Sequence, residues 1–199
     1  MENDELRPRE SFDSDEDYAE ARRLGVAWRA SEQMKKKLEI HQAKELDKPR
    51  ILALHHTIMV GEKDCAAAAG VYRLTDVFVG DDPIGVPAWE IAGAMTAFCQ
   101  WLKAEEEKLH EGGGELARFA AEAHLRLVQI HPAEDGNGRL ARLLMNLLLN
   151  RREKGPIILR ESFHDQYDEC MRTGNIEALV VEINVELNNL EKAGCSNAV

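Results

Sequence analysis

The chain has 199 residues, 44% of them hydrophobic, and a formal net charge of −11. That length suits one domain with a sizeable core and leaves room for an extension, and the acidic balance argues against sequence-independent nucleic-acid binding, which needs basic surface to displace counterions. No apolar run approaches the roughly 20 residues that span a bilayer. The acidic start Met1-Glu2-Asn3-Asp4-Glu5 has the wrong chemistry for a secretory or transit leader. Cys65, Cys99, Cys170 and Cys195 lack metal-type spacing and read as free thiols in a reducing compartment. The expectation is a cytoplasmic protein that engages neither membrane nor nucleic acid.

In chain order, residues 1–16 are acid-rich and poor in large apolar groups, which predicts a flexible tail. Residues 17–49 read as a helical extension that closes at Lys48-Pro49. A helix over 50–59 carries His55 and His56, which point in different directions on a helix and are read as core or surface residues rather than a metal pair. Val71-Tyr72-Arg73 and Val77-Phe78-Val79 are strand-rich pieces of one hairpin, closed by Gly80-Asp81-Asp82-Pro83 and Gly85. From Pro87 to Lys108, Ile91, Met95, Phe98 and Leu102 recur at helical spacing, with Trp101 widening the face. Residues 111–115 read as a flexible connector. A helix over 115–130 buries Leu116, Phe119, Ala120, Ala123, Leu127 and Ile130, and another spans 139–152. Gly155-Pro156 breaks the chain, Ile157-Ile158-Leu159 is a short apolar segment, and two further helices cover about 162–172 and 175–192. The fold class is mainly α with one small β-hairpin.

Between the two central helices lies His131-Pro132-Ala133-Glu134-Asp135-Gly136-Asn137-Gly138-Arg139-Leu140-Ala141-Arg142. Pro132 disfavours helix at His131, and Gly136 and Gly138 permit backbone angles that side chains forbid, so the loop can turn its amides toward one point. An anion there would also meet the positive end of the following helix. A histidine with an ordinary pKa of about 6.5 can take a proton from a hydroxyl near neutral pH. Asp135 is a hard oxygen ligand suited to a magnesium ion that bridges phosphates. Arg139 and Arg142 share a helix face and can hold polyphosphate oxygens. The combination is a site for moving a phosphate.

This segment resembles the signature of Fic-domain proteins, His-Pro-Phe-x-(Asp or Glu)-Gly-Asn-Gly-Arg-x-x-Arg, fitting eleven of twelve positions, free ones included. The one departure is Ala133, where the family has a phenylalanine that packs under the loop and helps set the histidine. The resemblance extends more weakly from about Ile51 through Leu187, and implies a Fic-like catalytic core over 50–192 with a C-terminal tail over 193–199. It implies transfer of AMP from MgATP to a Ser, Thr or Tyr hydroxyl of a target protein, or of the chain itself, with release of pyrophosphate. On that pattern His131 is the catalytic base and Asp135 the metal residue. Gly136, Asn137 and Gly138 form the anion hole, and Arg139 and Arg142 bind the distal phosphates. Val77, Phe78 and Val79 become a flap that pairs with an extended target segment. His164, Tyr167 and Arg172 fall where family members close over the adenine, although the family's tyrosine pair is replaced by His164-Asp165. The family's inhibitory helix has no full match, Thr173-Gly174-Asn175-Ile176-Glu177 being the nearest, so an inhibitor would be a separate chain or a variant segment. A homodimer is compatible with the family, and the sequence leaves the oligomeric state open. The alternatives are a Fic-type transferase using a UMP, phosphocholine or phosphate donor, and a non-catalytic nucleotide-binding module.

Overall fold

A computed structural model describes residues 46–59, 69–109, 113–152, 154 and 156–196. The expected tail over 1–16, almost all of the 17–49 extension and Cys65 lie outside these residues. Six α-helices and one hairpin make up the described architecture: α1 (Lys48–Met59), β1 (Val77–Val79), β2 (Asp82–Ile84), α2 (Ile91–Lys108), α3 (Gly113–Ile130), α4 (Asn137–Asn150), α5 (His164–Thr173) and α6 (Glu177–Ser196). Short 3₁₀ turns at Ala88–Glu90 and Glu161–Phe163 lead into α2 and α5.

The central helix is α3, because its sequence carries apolar residues on two sides. Phe119, Ala123, Leu127 and Ile130 face a core shared with Ile91, Met95, Phe98 and Leu102 of α2 and Leu140, Leu143, Leu144 and Leu147 of α4. Leu116, Ala117, Ala120 and Ala121 face a second core with Met145 and Leu149 of α4 and Leu179 and Ile183 of α6. Each large side chain buried this way stabilises the fold by about 1.5–3 kcal/mol. The alanines let neighbouring helices approach closely, and α3 and α4 pack along their length. This pairing fixes the two ends of the 131–136 loop. Trp101 lies beside Phe98 and Phe119, with ring centroids 6.0 and 5.6 Å away, and the Arg126 guanidinium sits 4.3 Å above its ring.

Three local expectations are corrected. The hairpin does not use Val71–Arg73: β1 pairs antiparallel with β2, Val77 opposite Ile84, Phe78 opposite Pro83 and Val79 opposite Asp82. The reason is twofold. Arg73 is drawn into the interior, and Gly80, with φ +61°, makes a two-residue turn that brings the next residues back. Pro83 is tolerated because the pair beyond such a turn is the non-hydrogen-bonded kind, so its missing N–H faces away from β1. Of the expected 111–115 connector, Gly113 through Glu115 are already helical. The helix expected from residue 50 begins at Lys48, so Pro49 sits in the first turn of α1, where its lost N–H would have had no intrahelical partner. Downstream, the 157–159 segment is held as an irregular strap: the buried Asn146 amide donates to the Ile157 carbonyl at 3.0 Å and accepts its N–H at 2.8 Å.

Candidate functional site

Helix α3 ends where Pro132 forces it to. His131 takes φ +52°, the one non-glycine residue with positive φ among those described, while its N–H still reaches the Leu127 carbonyl at 3.1 Å. A branched or bulky side chain in this region costs free energy and persists only when its surroundings hold it. Here the holding group is Arg73, whose side chain is fully buried. Its Nε donates to the His131 carbonyl at 2.7 Å, Nη1 to the Thr75 carbonyl at 2.8 Å and Nη2 to the Val86 carbonyl. The Arg73 amide donates to Pro132 at 2.9 Å and the Val86 amide to Ile130 at 3.3 Å. Gly85 presses so closely that a Cβ there would lie 2.5 Å from the His131 Cβ. The base of the hairpin is therefore bonded directly to the histidine's backbone.

The histidine ring is half-buried, which pushes its pKa below the ordinary value, and the Arg73 guanidinium adds to that depression. A hydrogen bond with the Val128 backbone opposes it, as does the Asp135 charge. A neutral ring that donates to a carbonyl through one nitrogen presents the other as a base.

Beyond His131 the loop is closed by Asn137. Its side chain accepts the Ala133 N–H at 2.9 Å and donates to the Ala133 carbonyl at 2.9 Å, both buried. The loop is thus tied by the Asn137 side chain to the backbone of Ala133, itself 2% exposed, at the position where the resemblance expects a phenylalanine ring. Gly136 has φ +78°, and a Cβ there would meet Met59 Sδ at 2.5 Å and His55 Nε2 at 3.2 Å, so glycine is required twice over. Gly138 differs from the expectation: it lies in the first turn of α4, not at a positive φ, and a Cβ would touch only the Arg142 guanidinium, at 3.6 Å. No side chain caps α4, whose first amides open toward the loop.

The Asp135 carboxylate is well exposed, accepts the Gly136 N–H at 2.6 Å and pairs with Arg139 at 3.2 Å. The Gly136 amide is accordingly engaged by that carboxylate. One exposed carboxylate beside a basic helix start fits a magnesium ion that shares its coordination with phosphates and water. Among the described residues there is no group of three or more His, Cys, Asp or Glu able to cage an ion by protein ligands alone.

Two residues that the sequence reading assigned no role stand behind this site. His55, 1% exposed, bridges α1 to the loop: Nδ1 accepts the Gly70 N–H at 2.9 Å and Nε2 lies 2.9 Å from the Asp135 carbonyl. His124, fully buried on α3, lies 2.9 Å through Nε2 from the Tyr167 hydroxyl, with the rings edge to face at 5.5 Å. Burial pushes the His124 pKa down to about 3, and the Arg142 charge lowers it too. Of the three residues expected near the base, Tyr167 is therefore linked to the Arg142 neighbourhood through His124. His164 and Arg172 are instead exposed and engaged along their own helix, with Asp168 at 3.6 Å and Glu169 at 2.7 Å. In the segment nearest an inhibitory motif, Glu177 pairs with Arg118 at 2.8 Å, Gly174 closes α5 and Asn175 caps the Glu177 amide.

Val77, Phe78 and Val79 form β1, one strand of the hairpin. Phe78 and Val79 are 59% and 68% exposed, and Val77 is half-buried at the base. As the partner of Pro83 in a non-hydrogen-bonded pair, Phe78 turns its own N–H and C=O to the outer edge of β1. No helix among the described residues is long and apolar enough to cross a membrane.

Comparison with known proteins gives one answer. A family model described as Fic/DOC matches residues 45–149. A protein adenylyltransferase Fic of Nematostella vectensis is 45% identical over 102 residues, covering 50% of this chain and 22% of that protein. One of Drosophila grimshawi is 37% identical over 135 residues, covering 67% of this chain and 26% of that protein. The chain thus spans about a quarter of the length of these curated relatives. The structure of Fic-1 from C. elegans superposes with a TM-score of 0.70 at 21% identity over 90% of this chain and 54% of that one, a likeness of fold.

Proposed function

The chain belongs to the Fic/DOC family, and we propose that it is a protein adenylyltransferase, moving AMP from ATP to a hydroxyl of a target protein. The observation that carries the reading is the 131–142 loop. A depressed-pKa histidine is fixed by Arg73 at the end of α3, and it is followed by an exposed carboxylate, an uncapped helix start and two arginines.

In this reading the neutral His131 ring takes the proton of a Ser, Thr or Tyr hydroxyl as its oxygen attacks the α-phosphorus. The new P–O bond forms as the bond to the β-phosphate oxygen breaks, and pyrophosphate leaves. The amides at the start of α4 face the charge that develops on the α-phosphate, and the Arg139 and Arg142 guanidinium groups neutralise the leaving phosphates. Magnesium, held by Asp135, would supply further neutralisation of the phosphate oxygens. Asn137 contributes its backbone amide, since its side chain is committed to Ala133. The target segment adds to the outer edge of β1 through the Phe78 N–H and C=O, which sets its hydroxyl near His131 because Gly85, Val86 and Arg73 tie the hairpin to that residue. Tyr167 borders the nucleotide from α5; His164 and Arg172, committed to their own helix, have less claim to the base.

The test is transfer from ATP labelled in the α or the γ phosphate, with magnesium and a cell lysate as target source. Label from the α phosphate alone supports adenylyl transfer. Label from the γ phosphate alone would replace it with phosphoryl transfer.

A further inference from the structure

Helix α1 is separated from the motif loop by about eighty positions of chain, yet it forms the floor beneath it. We propose that His55 is a positioning residue for the motif loop: gripped by the Gly70 amide on one side, its ring holds the Asp135 carbonyl on the other and so sets where the Asp135 carboxylate and the first α4 amides point. The inference rests on the reading of residues 135–142 as the nucleotide-phosphate site.

The bonding leaves one arrangement. An amide N–H can only donate, so Nδ1 accepts from Gly70 at 2.9 Å, and the single N–H of a neutral imidazole is then on Nε2, aimed at the Asp135 carbonyl at 2.9 Å. With His55 1% exposed, water does not compete for either bond. Gly70, and Gly136 next to the anchored Asp135 carbonyl, have room for nothing larger. A Cβ on Gly70 would lie 2.9 Å from the His56 Cβ, and one on Gly136 would lie 2.5 Å from Met59 Sδ. The next residue after the anchored carbonyl begins the αL turn that starts α4. A shift of the Asp135 carbonyl therefore moves the carboxylate and the helix start together, while leaving His131, held separately by Arg73, in place. Groups that orient a metal-site carboxylate from behind typically govern about 10–100-fold in affinity or activity.

Two substitutions separate the bonds. In His55→Gln the amide nitrogen reaches about as far as Nε2 and keeps the donor to Asp135. In His55→Asn the shorter side chain keeps only an acceptor for Gly70. Titration calorimetry with MgATP is expected to show His55→Asn binding about 10–100-fold more weakly and His55→Gln within about threefold of the original protein. Nitrogen NMR of the unliganded protein is expected to show a neutral His55 ring protonated on Nε2. An Asn variant that binds as tightly as the original, a Gln variant that loses as much as Asn, or a ring protonated on Nδ1 would each overturn the inference alone. Failure of the unsubstituted protein to bind MgATP would overturn the phosphate-site reading and this inference with it.

Discussion

Gly136→Ala concentrates the structural argument in one methyl group. The residue sits at φ +78°, so an alanine there carries the left-handed penalty of about 1–2 kcal/mol. Its Cβ would also lie 2.5 Å from the sulfur of Met59, which is 1% exposed, so relaxation must come from the packed floor. Overpacking of this kind costs about 1–3 kcal/mol. Together the two give about 2–5 kcal/mol, and at about 2–4 °C per kcal/mol for a domain of this size the melting temperature should fall by about 4–20 °C. The backbone and clash shares are separable in a double-mutant cycle followed by urea denaturation. Combined with Met59→Ala, the clash share vanishes, so the two changes should be less than additive by about 1–3 kcal/mol. A Gly136→Ala protein that melts within about 1 °C of the original, or strict additivity in the cycle, would refute the geometry of the loop and its floor.

Replacing Arg73 with Leu strands the His131, Thr75 and Val86 carbonyls, and each bond to a charged donor is worth about 1.5–3 kcal/mol. Denaturant melts should show a loss of at least about 3 kcal/mol, and Arg73→Lys should recover only part because an ammonium lacks the fork. Since burial and Arg73 both depress the His131 pKa, the neutral base persists below pH 6.5, the ordinary value. The kcat/KM profile should therefore stay level through that pH and fall only as acidity reaches the depressed value; an acid limb centred above pH 6.5 would contradict this. His124 gives a stability effect of known sign. With a folded pKa of about 3 against 6.5 unfolded, its contribution is complete above pH 6.5 and declines as pH falls toward 3. The slope is about 1.4 kcal/mol per pH unit. Urea titrations at pH 7 and pH 5 should show that slope lessened in His124→Asn, whose side chain takes up no proton.

The central helices were legible because their information is local. Leu116, Phe119, Ala120, Ala123, Leu127 and Ile130 repeat at the period of one helix face, and all are buried. Pro132 ends α3 by covalent geometry alone, as read. The motif loop was legible for the same reason, its functional groups falling within twelve consecutive residues. What supports that loop was not, because His55, Gly70, Arg73 and Gly85 lie 46 or more positions before His131 and meet it only through tertiary packing. A histidine on a helix carries no mark of such partners. One signal was available: Arg73, the one charge in the run Val71-Tyr72-Arg73-Leu74, could have been read as a buried anchor. The hairpin register went astray there, since β-propensity favours Val71–Arg73 while the buried guanidinium holds that stretch against the 131–132 loop. Gly138 was misread because glycine in a helix's first turn can serve space for a ligand as well as an unusual φ.

The most direct test of the central claim is mass spectrometry of target protein incubated with MgATP and either the original chain or His131→Ala. The account predicts a mass gain of one AMP on a Ser, Thr or Tyr hydroxyl, made by the original protein and lost with His131→Ala while MgATP binding survives. AMP incorporation that persists in His131→Ala, or MgATP binding with no adduct on any protein of a lysate or on the chain itself, would contradict it.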